Sequence, residues 1–305
     1  MDGLDVLMPH FNDPDGLNLS LRSVARQTWK GPIRVVIVDD GSSPENRLAA
    51  EAVADRFRTC RTEQSELRID VLFNQTNKGR PFTRNVLLDA IERPFVAWLD
   101  AGDEWYSEKI ETQFNGLAAA VSEEPDRPLW ITCNYDWLWS GGQRKKLRQR
   151  TDQDQCKALL MGSKLRAYLW TLLGPADAFK RVGYFDERLP RMQDLDFFIR
   201  FVADGGAIRH SGVDESLCVY HKSDVGRNAD EIRACNAIIF EKHIDLYNRH
   251  GEQFSKMRLY NMEMLAARFA QNNDDHAKAR GYLWKAFKQR PLAFLKHVRR
   301  RGFAA

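Results

Sequence analysis

Two acidic residues, Asp100 and Asp103, stand directly after the apolar run Phe95–Leu99. The run predicts a buried strand, and such a strand ends in paired carboxylates when something binds there. In open α/β sheets, ligands bind beyond the carboxyl ends of the strands. Two carboxylates at that edge suit a hard divalent cation, Mg²⁺ or Mn²⁺, held together with substrate phosphates. The pair therefore predicts a site for a metal ion and a phosphorylated ligand.

A second acidic pair, Asp39 and Asp40, follows the apolar run Ile33–Val38 and precedes a glycine and two serines. Carboxylates at a strand end can accept hydrogen bonds from a nucleobase N–H or from a ribose hydroxyl. Asp and Ser are also favoured in tight turns and at helix N-caps, because their short side chains accept backbone hydrogen bonds. The pattern leaves both interpretations open.

Basic residues cluster in the segment Asn77–Asn85, which leads into a helix and carries Lys78, Arg80 and Arg84. Basic side chains at a helix start oppose the helix macrodipole, so their presence needs another reason. A diphosphate would supply it, because the planar guanidinium of Arg binds phosphate oxygens as a fork. The alternative is a solvated basic loop.

A third acidic motif, Asp194 and Asp196, opens the segment Gln193–Arg200, whose phenylalanines form an apolar helix face. An aspartate in the first turn of a helix commonly does no more than complement the helix dipole. A positioned aspartate can also act as a general base. The spacing alone does not decide between these two roles.

The bulk composition is that of an ordinary soluble globular chain: 43% of the 305 residues are hydrophobic and 29% are charged. No apolar run approaches the ~18 residues that span a bilayer. The acidic N-terminus lacks the basic segment of a signal peptide, so we expect a cytoplasmic location. The dinucleotide-binding glycine motif, the P-loop and zinc-type Cys/His spacing are absent from the sequence. No nucleic-acid partner is expected.

Charge is distributed unevenly along the chain. The net charge is +4, yet His276–Ala305 holds nine Lys or Arg residues and no Asp or Glu, which leaves 37 basic against 42 acidic residues before it. In this tail Leu292, Leu295 and Val298 fall on one face of a short helix, beside Lys296 and three arginines. A basic amphipathic helix can lie in the interface of an anionic membrane. The alternative is that the apolar residues dock on the folded body.

The order of apolar runs predicts the architecture. Strands that alternate with helices form right-handed parallel βαβ units, hence a doubly wound, mostly parallel sheet. We expect one domain over residues 1–225, with halves of about 1–106 and 107–225, and a helical region over 226–305. The predicted strands are Leu4–Met8, Ile33–Val38, Ile69–Phe73, Phe95–Asp100, Leu129–Trp139, Ala176–Phe179 and Leu217–Tyr220. The predicted helices include Leu17–Gln27, Pro44–Phe57, Pro81–Glu92, Glu108–Val121 and Asp194–Ala203.

Taken together and in this order, the motifs resemble those of glycosyltransferase family 2, which has the GT-A fold. The matching segments are VLMPHFND, VVIVDDGSS, NKGRPFTRN, FVAWLDAGDEW, RVGYFDERL and QDLDFFIR, which together cover roughly residues 4–222. The resemblance implies a GT-A-type, Rossmann-like sheet flanked by helices, with a C-terminal helical extension. It also implies a nucleotide-sugar donor, Mg²⁺ or Mn²⁺, and inverting transfer of a hexose to a glycan or lipid-linked saccharide in bacterial cell-surface polysaccharide synthesis.

The resemblance also implies roles for individual residues. Asp194 would be the catalytic base, and Asp100 and Asp103 would hold the metal, with His221 as a further candidate ligand. Asp196 and Trp170 would lie on the acceptor side. The donor-binding residues would be Pro9, Phe11, Asn12, Asp39, Asp40, Lys78, Arg84 and Asp100.

One residue departs from the family pattern. The usual metal block has an aspartate two residues after the first, and Gly102 occupies that position here. Either Asp103 takes over the metal, or the metal is held more loosely.

Two alternatives stand beside this interpretation. A sugar-phosphate nucleotidyltransferase has a similar sheet, but it should carry a Gly-rich signature and a catalytic lysine near the N-terminus, and Val6–Asp13 has neither. A non-catalytic member that binds a nucleotide sugar or a glycan within an assembly is left open by Gly102. Slow hydrolysis of a nucleotide sugar by the pure protein would exclude this second alternative.

Overall fold

The computed structural model of the chain groups its residues into two units, each described here by itself. The described residues are 3–58, 66–162, 165, 168–222 and 228–301, with the backbone only at 222, 300 and 301. The first unit comprises 3–187 and 193–222, and the second comprises 188–192 and 228–301.

All described strands lie in the first unit. They are β1 (Leu4–His10), β2 (Ile33–Asp39), β3 (Leu67–Phe73), β4 (Phe95–Trp98), β5 (Glu104–Trp105), β6 (Leu129–Thr132), β7 (Asn134–Trp139), β8 (Arg144–Leu147), β9 (Leu173–Pro175), β10 (Ala207–His210) and β11 (Ser216–Lys222). The helices of this unit are α1 (Pro14–Ala25), α2 (Pro44–Arg58), α3 (Arg80–Asp89), α4 (Lys109–Glu123), α5 (Gln155–Met161), α6 (Ala176–Lys180) and α7 (Gln193–Ala203), with a 3₁₀ turn at Leu169–Thr171.

The central sheet has the strand order β10–β6–β9–β4–β1–β2–β3. Its described strands run parallel except β9, which is antiparallel to both β4 and β6. β1 and β2 are buried along their whole length, as expected of parallel strands covered on both faces. The predicted α/β class with a mostly parallel sheet is therefore confirmed.

A second sheet has the order β5–β11–β7–β8. The segment Leu129–Trp139 is extended as predicted, but it is divided between the two sheets, because the chain leaves the central sheet after β6 and enters the second sheet as β7. The predicted strand Ala176–Phe179 is wrong, because this segment forms α6. The true strand, β9, ends immediately before it at Pro175, whose ring has no backbone N–H to donate to a ladder.

The second unit is helical. Among its buried residues, alanines dominate the contact between its helices, which lets the backbones approach closely, and Tyr282 fills the remaining space. In the described part of the chain, no helix has both the length and the apolar character needed to cross a membrane. The helices are α8 (Ala229–Lys242), α9 (Ile244–Arg249), α10 (Glu252–Asn272), α11 (His276–Gln289) and α12 (Pro291–Arg301).

Candidate functional site

An ion pair joins the end of β4 to α3. A guanidinium nitrogen of Arg84, which is almost fully buried, lies 3.0 Å from both carboxylate oxygens of Asp100. Burial raises the pKa of Asp100, but the positive charges of Arg84 and Arg80 and the hydrogen bonds from Arg84 lower it below its usual value. Asp100 is therefore ionised, and it is held by the basic segment that precedes and opens α3.

A tight turn carries the chain from Asp100 to Asp103. The amide of Asp103 donates to the carbonyl of Asp100 at 3.1 Å, and the Ser20 hydroxyl donates to the carbonyl of Asp103 at 2.7 Å. Between them, Gly102 has φ +98°, a left-handed conformation that favours glycine. An aspartate at 102 would be strained there. Gly102 therefore suits the conformation of this turn, and the next carboxylate along the chain is that of Asp103.

Asp103 is a buried acid beside another acid. Burial and the negative charge of Asp100 raise the pKa of Asp103 well above its usual value, against smaller lowering effects from the His221 amide and Arg80. The His221 N–H donates to the Asp103 carboxylate at 3.2 Å. Without a cation beside it, the Asp103 carboxyl therefore retains its proton to a higher pH than an ordinary aspartate does.

The fit to a divalent cation follows from this pair. Within the described ranges, no three His, Cys, Asp or Glu side chains converge on a common metal position. His221 stays a predicted ligand: its Nε2 lies 2.7 Å from the Glu104 carboxylate, and a ligating histidine commonly contacts a carboxylate through the ring nitrogen that does not bind the metal. Asp100 and Asp103 alone still fit Mg²⁺ or Mn²⁺, since such ions are commonly held by one or two carboxylates plus substrate phosphates and water.

Asp194 belongs to the same electrostatic cluster. It lies in the first turn of α7 and is half-buried, and the amide of Leu195 donates to its carboxylate at 3.1 Å. Burial and the charge of Asp100 raise its pKa, while Arg84 and Arg80 lower it, and the net change is upward. A carboxylate with a raised pKa is a stronger proton acceptor than an ordinary aspartate.

Asp196 and Trp170 do not reach this cluster as the acceptor-side interpretation requires. Asp196 is fully buried and accepts a hydrogen bond from Arg200 Nε at 3.0 Å. Trp170 is 3% exposed, and its ring stacks with those of Tyr168 and Tyr220. Both residues therefore stabilise the fold around the site, and neither presents a surface to an acceptor.

Asp39 closes the end of β2 with a fixed set of partners. Its carboxylate accepts from His10 Nδ1 at 2.7 Å and from the hydroxyl and amide of Ser42 at 2.6 and 2.9 Å. Burial raises the pKa of Asp39, but these hydrogen bonds lower it below the usual value. The amide of Asp13 donates to His10 Nε2 at 3.3 Å, so the ring carries its proton on Nδ1.

Asp40 anchors the chain ahead of α3. Its carboxylate accepts from the amides of Lys78 and Gly79 at 3.0 and 2.8 Å and from the Asn74 side chain at 2.8 Å. The side chain of Lys78 itself is exposed. Asp40 thus positions the basic segment. This role differs both from nucleoside binding and from capping a turn or helix of its own, which were the two interpretations of the sequence pattern.

The loop after β1 completes the donor-side residues. Pro9 is buried within β1, whereas the ring of Phe11 is exposed. Asn12 has φ +50°, and its side-chain oxygen accepts from the Ser43 amide at 2.8 Å. This loop is therefore tied to the turn that follows Asp39 and leaves one aromatic face open to solvent.

The sequence patterns do not identify two further residues beside the site, Asn85 and His10. Asn85 follows Arg84 on α3 and exchanges two hydrogen bonds with the backbone of Phe185, at 3.1 and 2.7 Å. Its place directly after Arg84 is the only signal available. For His10 the signal would be the strand register, which sets it opposite Asp39.

The chain is similar to known proteins in sequence and in fold. Residues 5–156 match the family model described as glycosyl transferase family 2. The amylovoran biosynthesis glycosyltransferase AmsB of Erwinia amylovora is 25% identical over 218 residues, which is 71% of this chain and 68% of that protein. An Escherichia coli protein named UDP-Glc:alpha-D-GlcNAc-diphosphoundecaprenol beta-1,3-glucosyltransferase WfgD is 30% identical over 112 residues, 37% of this chain and 40% of that one.

Among solved structures, the mannosyltransferase PcManGT from Pyrobaculum calidifontis, in complex with GDP-Man and Mn²⁺, matches with a TM-score of 0.56. The identity is 17%, and the match covers 97% of this chain and 78% of that one. The overall fold is therefore the expected GT-A type. The sequence alignments span only 58% to 68% of the length of the first curated relatives.

Proposed function

The chain belongs to glycosyl transferase family 2, and from this premise we propose that it moves a sugar from a nucleotide-sugar donor to a glycan or lipid-linked saccharide acceptor, with inversion at the anomeric carbon. One observation carries the proposal. Beyond the carboxyl end of β4, Asp100 and Arg80 both influence the pKa values of Asp103 and Asp194, and Arg84 influences those of Asp100 and Asp194. Such a cluster can bind a diphosphate and can accept the proton of a hydroxyl at a neighbouring position.

Asp194 is the proposed general base. It would take the proton of the acceptor hydroxyl while that oxygen attacks the anomeric carbon from the face opposite the leaving group. Its raised pKa supports this role, because the carboxylate binds a proton more strongly than an ordinary aspartate. The positive charges of Arg84 and Arg80 oppose this rise in the pKa and favour the ionised form that accepts the proton.

The leaving diphosphate is the proposed ligand of the basic segment. Arg84 and the exposed Lys78 and Arg80 would bind its oxygens, and positive charge placed where negative charge develops lowers the barrier to transfer. Asp100 and Asp103 would hold Mg²⁺ or Mn²⁺ against the same diphosphate. The ion, when bound, would neutralise charge on the leaving group.

The nucleoside is the proposed ligand of the loop after β1 and of the end of β2. Phe11 offers an exposed ring on which a base can stack. Asp39 is ionised and can accept from a base or ribose donor, and Pro9, Asn12 and Asp40 keep the surrounding loops in place.

The acceptor and the cellular setting are proposed from the relatives. One is named for amylovoran biosynthesis, and the other for transfer to a diphosphoundecaprenol-linked saccharide, which is a lipid-linked acceptor. We therefore propose a role in bacterial cell-surface polysaccharide synthesis. The enzyme would be cytoplasmic and would contact the inner face of the membrane peripherally through its basic C-terminal tail.

Donor profiling tests the proposal. Thermal unfolding is followed with UDP-, GDP- and dTDP-sugars, each with Mn²⁺ and with a chelator, and one nucleotide class should raise the melting temperature because it binds only the folded state. Arg84→Gln should lose this shift, whereas Arg181→Gln, an exposed arginine paired with Asp204, should retain it. Slow hydrolysis of the same donor should accompany binding. No shift and no hydrolysis with any donor would contradict the proposal.

A further inference from the structure

The second unit exposes a group of large apolar side chains on α11 and α12. Trp284 is 57% exposed, Leu292 is 76% exposed and Leu295 is 49% exposed. Phe287 and Phe294 lie beside them and are half-buried. We call these five residues the aromatic face. Large apolar side chains that cluster at the surface mark an interaction site more often than single exposed residues do.

The helical repeat explains why these side chains are exposed to solvent. α11 buries Ala279, Tyr282 and Ala286, which recur at the spacing of one helix face and pack with the alanines of α8 and α10. Trp284 lies two residues after Tyr282, about 200° around the helix, and so points away from that contact. The aromatic face is therefore the side of α11 that its own unit does not cover.

The aromatic face is preorganised. The rings of Trp284 and Phe287 stack with centroids 5.4 Å apart, and Phe287 meets Phe294 of α12 edge to face at 5.7 Å. This chain of ring contacts holds the end of α11 against the start of α12. The exposed Trp284 ring is thus held in place before any partner arrives, which lowers the entropic cost of binding.

Positive charge surrounds the aromatic face. The basic residues here are Lys285, Lys288, Arg290, Lys296 and Arg299, and the sequence contains no Asp or Glu from His276 to its end. The Lys288 ammonium lies 5.3 Å from the centre of the Trp284 ring, so charge and aromatic surface are neighbours. A surface that is apolar in its centre and basic at its rim complements a layer that is apolar inside and anionic outside.

We propose that the aromatic face is the surface through which this protein lies on an anionic lipid bilayer. Trp284, Leu292 and Leu295 enter the interfacial layer, and the five basic side chains meet the headgroups. A second copy of the chain is the less suitable occupant, because pairing two such faces would bring like charges together. This inference rests on the proposed peripheral membrane contact and extends it in two ways. It adds α11 to the contact surface, and it names Trp284, which lies outside the predicted tail helix, as the anchor.

Vesicle sedimentation tests the proposal with the full chain. Binding to phosphatidylglycerol–phosphatidylcholine vesicles should exceed binding to phosphatidylcholine vesicles and should fall as salt rises. Lys285→Gln and Lys288→Gln should each weaken partition about fivefold, the equivalent of about 1 kcal/mol per basic residue. Leu292→Ser with Leu295→Ser should weaken it further. The matched control is Leu48→Ser on α2, which is similarly exposed and should leave partition unchanged.

Fluorescence separates insertion from simple adsorption. Lipids brominated on the acyl chains should quench part of the tryptophan emission, and Trp284→Phe should remove that quenching while the protein still sediments with anionic vesicles. Absence of sedimentation at low salt, equal binding to neutral and anionic vesicles, or quenching that survives in Trp284→Phe would overturn the proposal. So would a concentration-dependent dimer that is lost in Trp284→Phe, since a second copy would then occupy the face.

Donor binding without vesicles is measured in parallel for every variant. It should be unchanged, because none of the substituted residues belongs to the proposed catalytic site. Absence of vesicle binding by the unaltered chain, with its donor binding intact, would therefore refute the membrane surface alone. Failure of donor binding in the unaltered chain, with vesicle binding intact, would refute the proposed function alone.

Discussion

The carboxylates at the amino edge of the central sheet differ from Asp103 and Asp194 at its carboxyl edge. At the amino edge Arg34 lies between Asp5 and Asp70, with Nε 2.6 Å from the Asp70 carboxylate and a second nitrogen 3.4 Å from that of Asp5. Burial raises the pKa of Asp70, but the hydrogen bond from Arg34 helps to lower it below its usual value. At the carboxyl edge, burial and neighbouring acids raise the pKa values of Asp103 and Asp194 instead.

The difference separates charge that maintains the fold from charge available to a ligand. At the amino edge each buried carboxylate has a cation or backbone donors of its own; Asp5 also accepts from the amides of Glu92 and Arg93 at 2.7 and 2.9 Å. At the carboxyl edge Asp100 is paired with Arg84, and its negative charge raises the pKa values of Asp103 and Asp194. A cation or a diphosphate bound there would change these pKa values. Perturbed titration in a cleft is a mark of function, and satisfied pairs are a mark of structure.

The largest expected effect concerns the proposed base. Asp194→Asn should lower the rate of sugar transfer ~10²–10⁴-fold, the usual cost of losing a positioned general base. Donor affinity should stay nearly unchanged, because the nucleotide contacts lie on other residues. Steady-state transfer kinetics and donor titration measure the two quantities. Asp196→Asn, on the same helix, should lower thermal stability and leave kcat of the folded enzyme close to wild type. Transfer by Asp194→Asn within a few-fold of wild type would remove it from the role.

The next effect tests the amino edge. Arg34→Leu should destabilise the protein by about 3–5 kcal/mol, because it leaves Asp5 buried without its cation. Arg68→Leu is the matched control, since Arg68 also contacts Asp70 but has a half-exposed side chain, and its loss should cost at most about 1 kcal/mol. Guanidinium unfolding measures both. Equal losses would show that the buried pair stabilises the fold no more than a surface pair does.

The smallest effect has the opposite sign. Asp103→Asn should stabilise the metal-free protein by about 0.5–2 kcal/mol, as substitutions at strained functional sites often do, and it should abolish any metal dependence of nucleotide binding. The native state keeps the Asp103 proton to higher pH than the unfolded state does. Wild-type stability therefore falls as pH rises from near 3.8 through the raised pKa, and the advantage of the variant should grow over the same window.

Asp70→Asn is the matching experiment at the amino edge. In the wild type the pKa of Asp70 is lowered in the folded state. The ionised carboxylate therefore contributes stability above the unfolded pKa, and that stability is lost as pH falls through the folded pKa. The variant should be less stable than wild type at neutral pH. Thermal unfolding between pH 4 and 8 compares both variants, and changes of the same sign would contradict the contrast between the two edges.

Local pattern predicts the first half of the fold well and the second sheet poorly. Strands β1 and β2 are predictable because parallel strands buried on both faces appear as continuous apolar runs. By contrast, β5 is only two residues long, and β8 is basic and largely exposed. Both are strands because β11 and β7 pair with them, and that pairing is non-local information absent from either segment alone.

The site residues show the same contrast between local and non-local information. Acids that follow apolar runs, such as Asp100 and Asp103, are predictable because the sheet edge is fixed by the runs themselves. The pattern does not separate Asp194 from Asp196, because one helical turn contains both and only tertiary packing buries the second. The ring of Trp170 is likewise covered by aromatic residues from elsewhere in the chain.

The locked ring of His10 provides a built-in spectroscopic reporter. Its two nitrogens are unlike, with a proton on Nδ1 shared with Asp39 and a bare Nε2 facing the Asp13 amide. Nitrogen-15 resonances of histidine distinguish such nitrogens without any change to the protein. A nucleoside that engages Asp39 must redistribute the hydrogen bonds of that carboxylate, so the Nδ1 resonance would register binding at the far end of β2. In isotopically labelled protein, the ring thus offers a way to tell base recognition from diphosphate recognition without any substitution, one ligand fragment at a time.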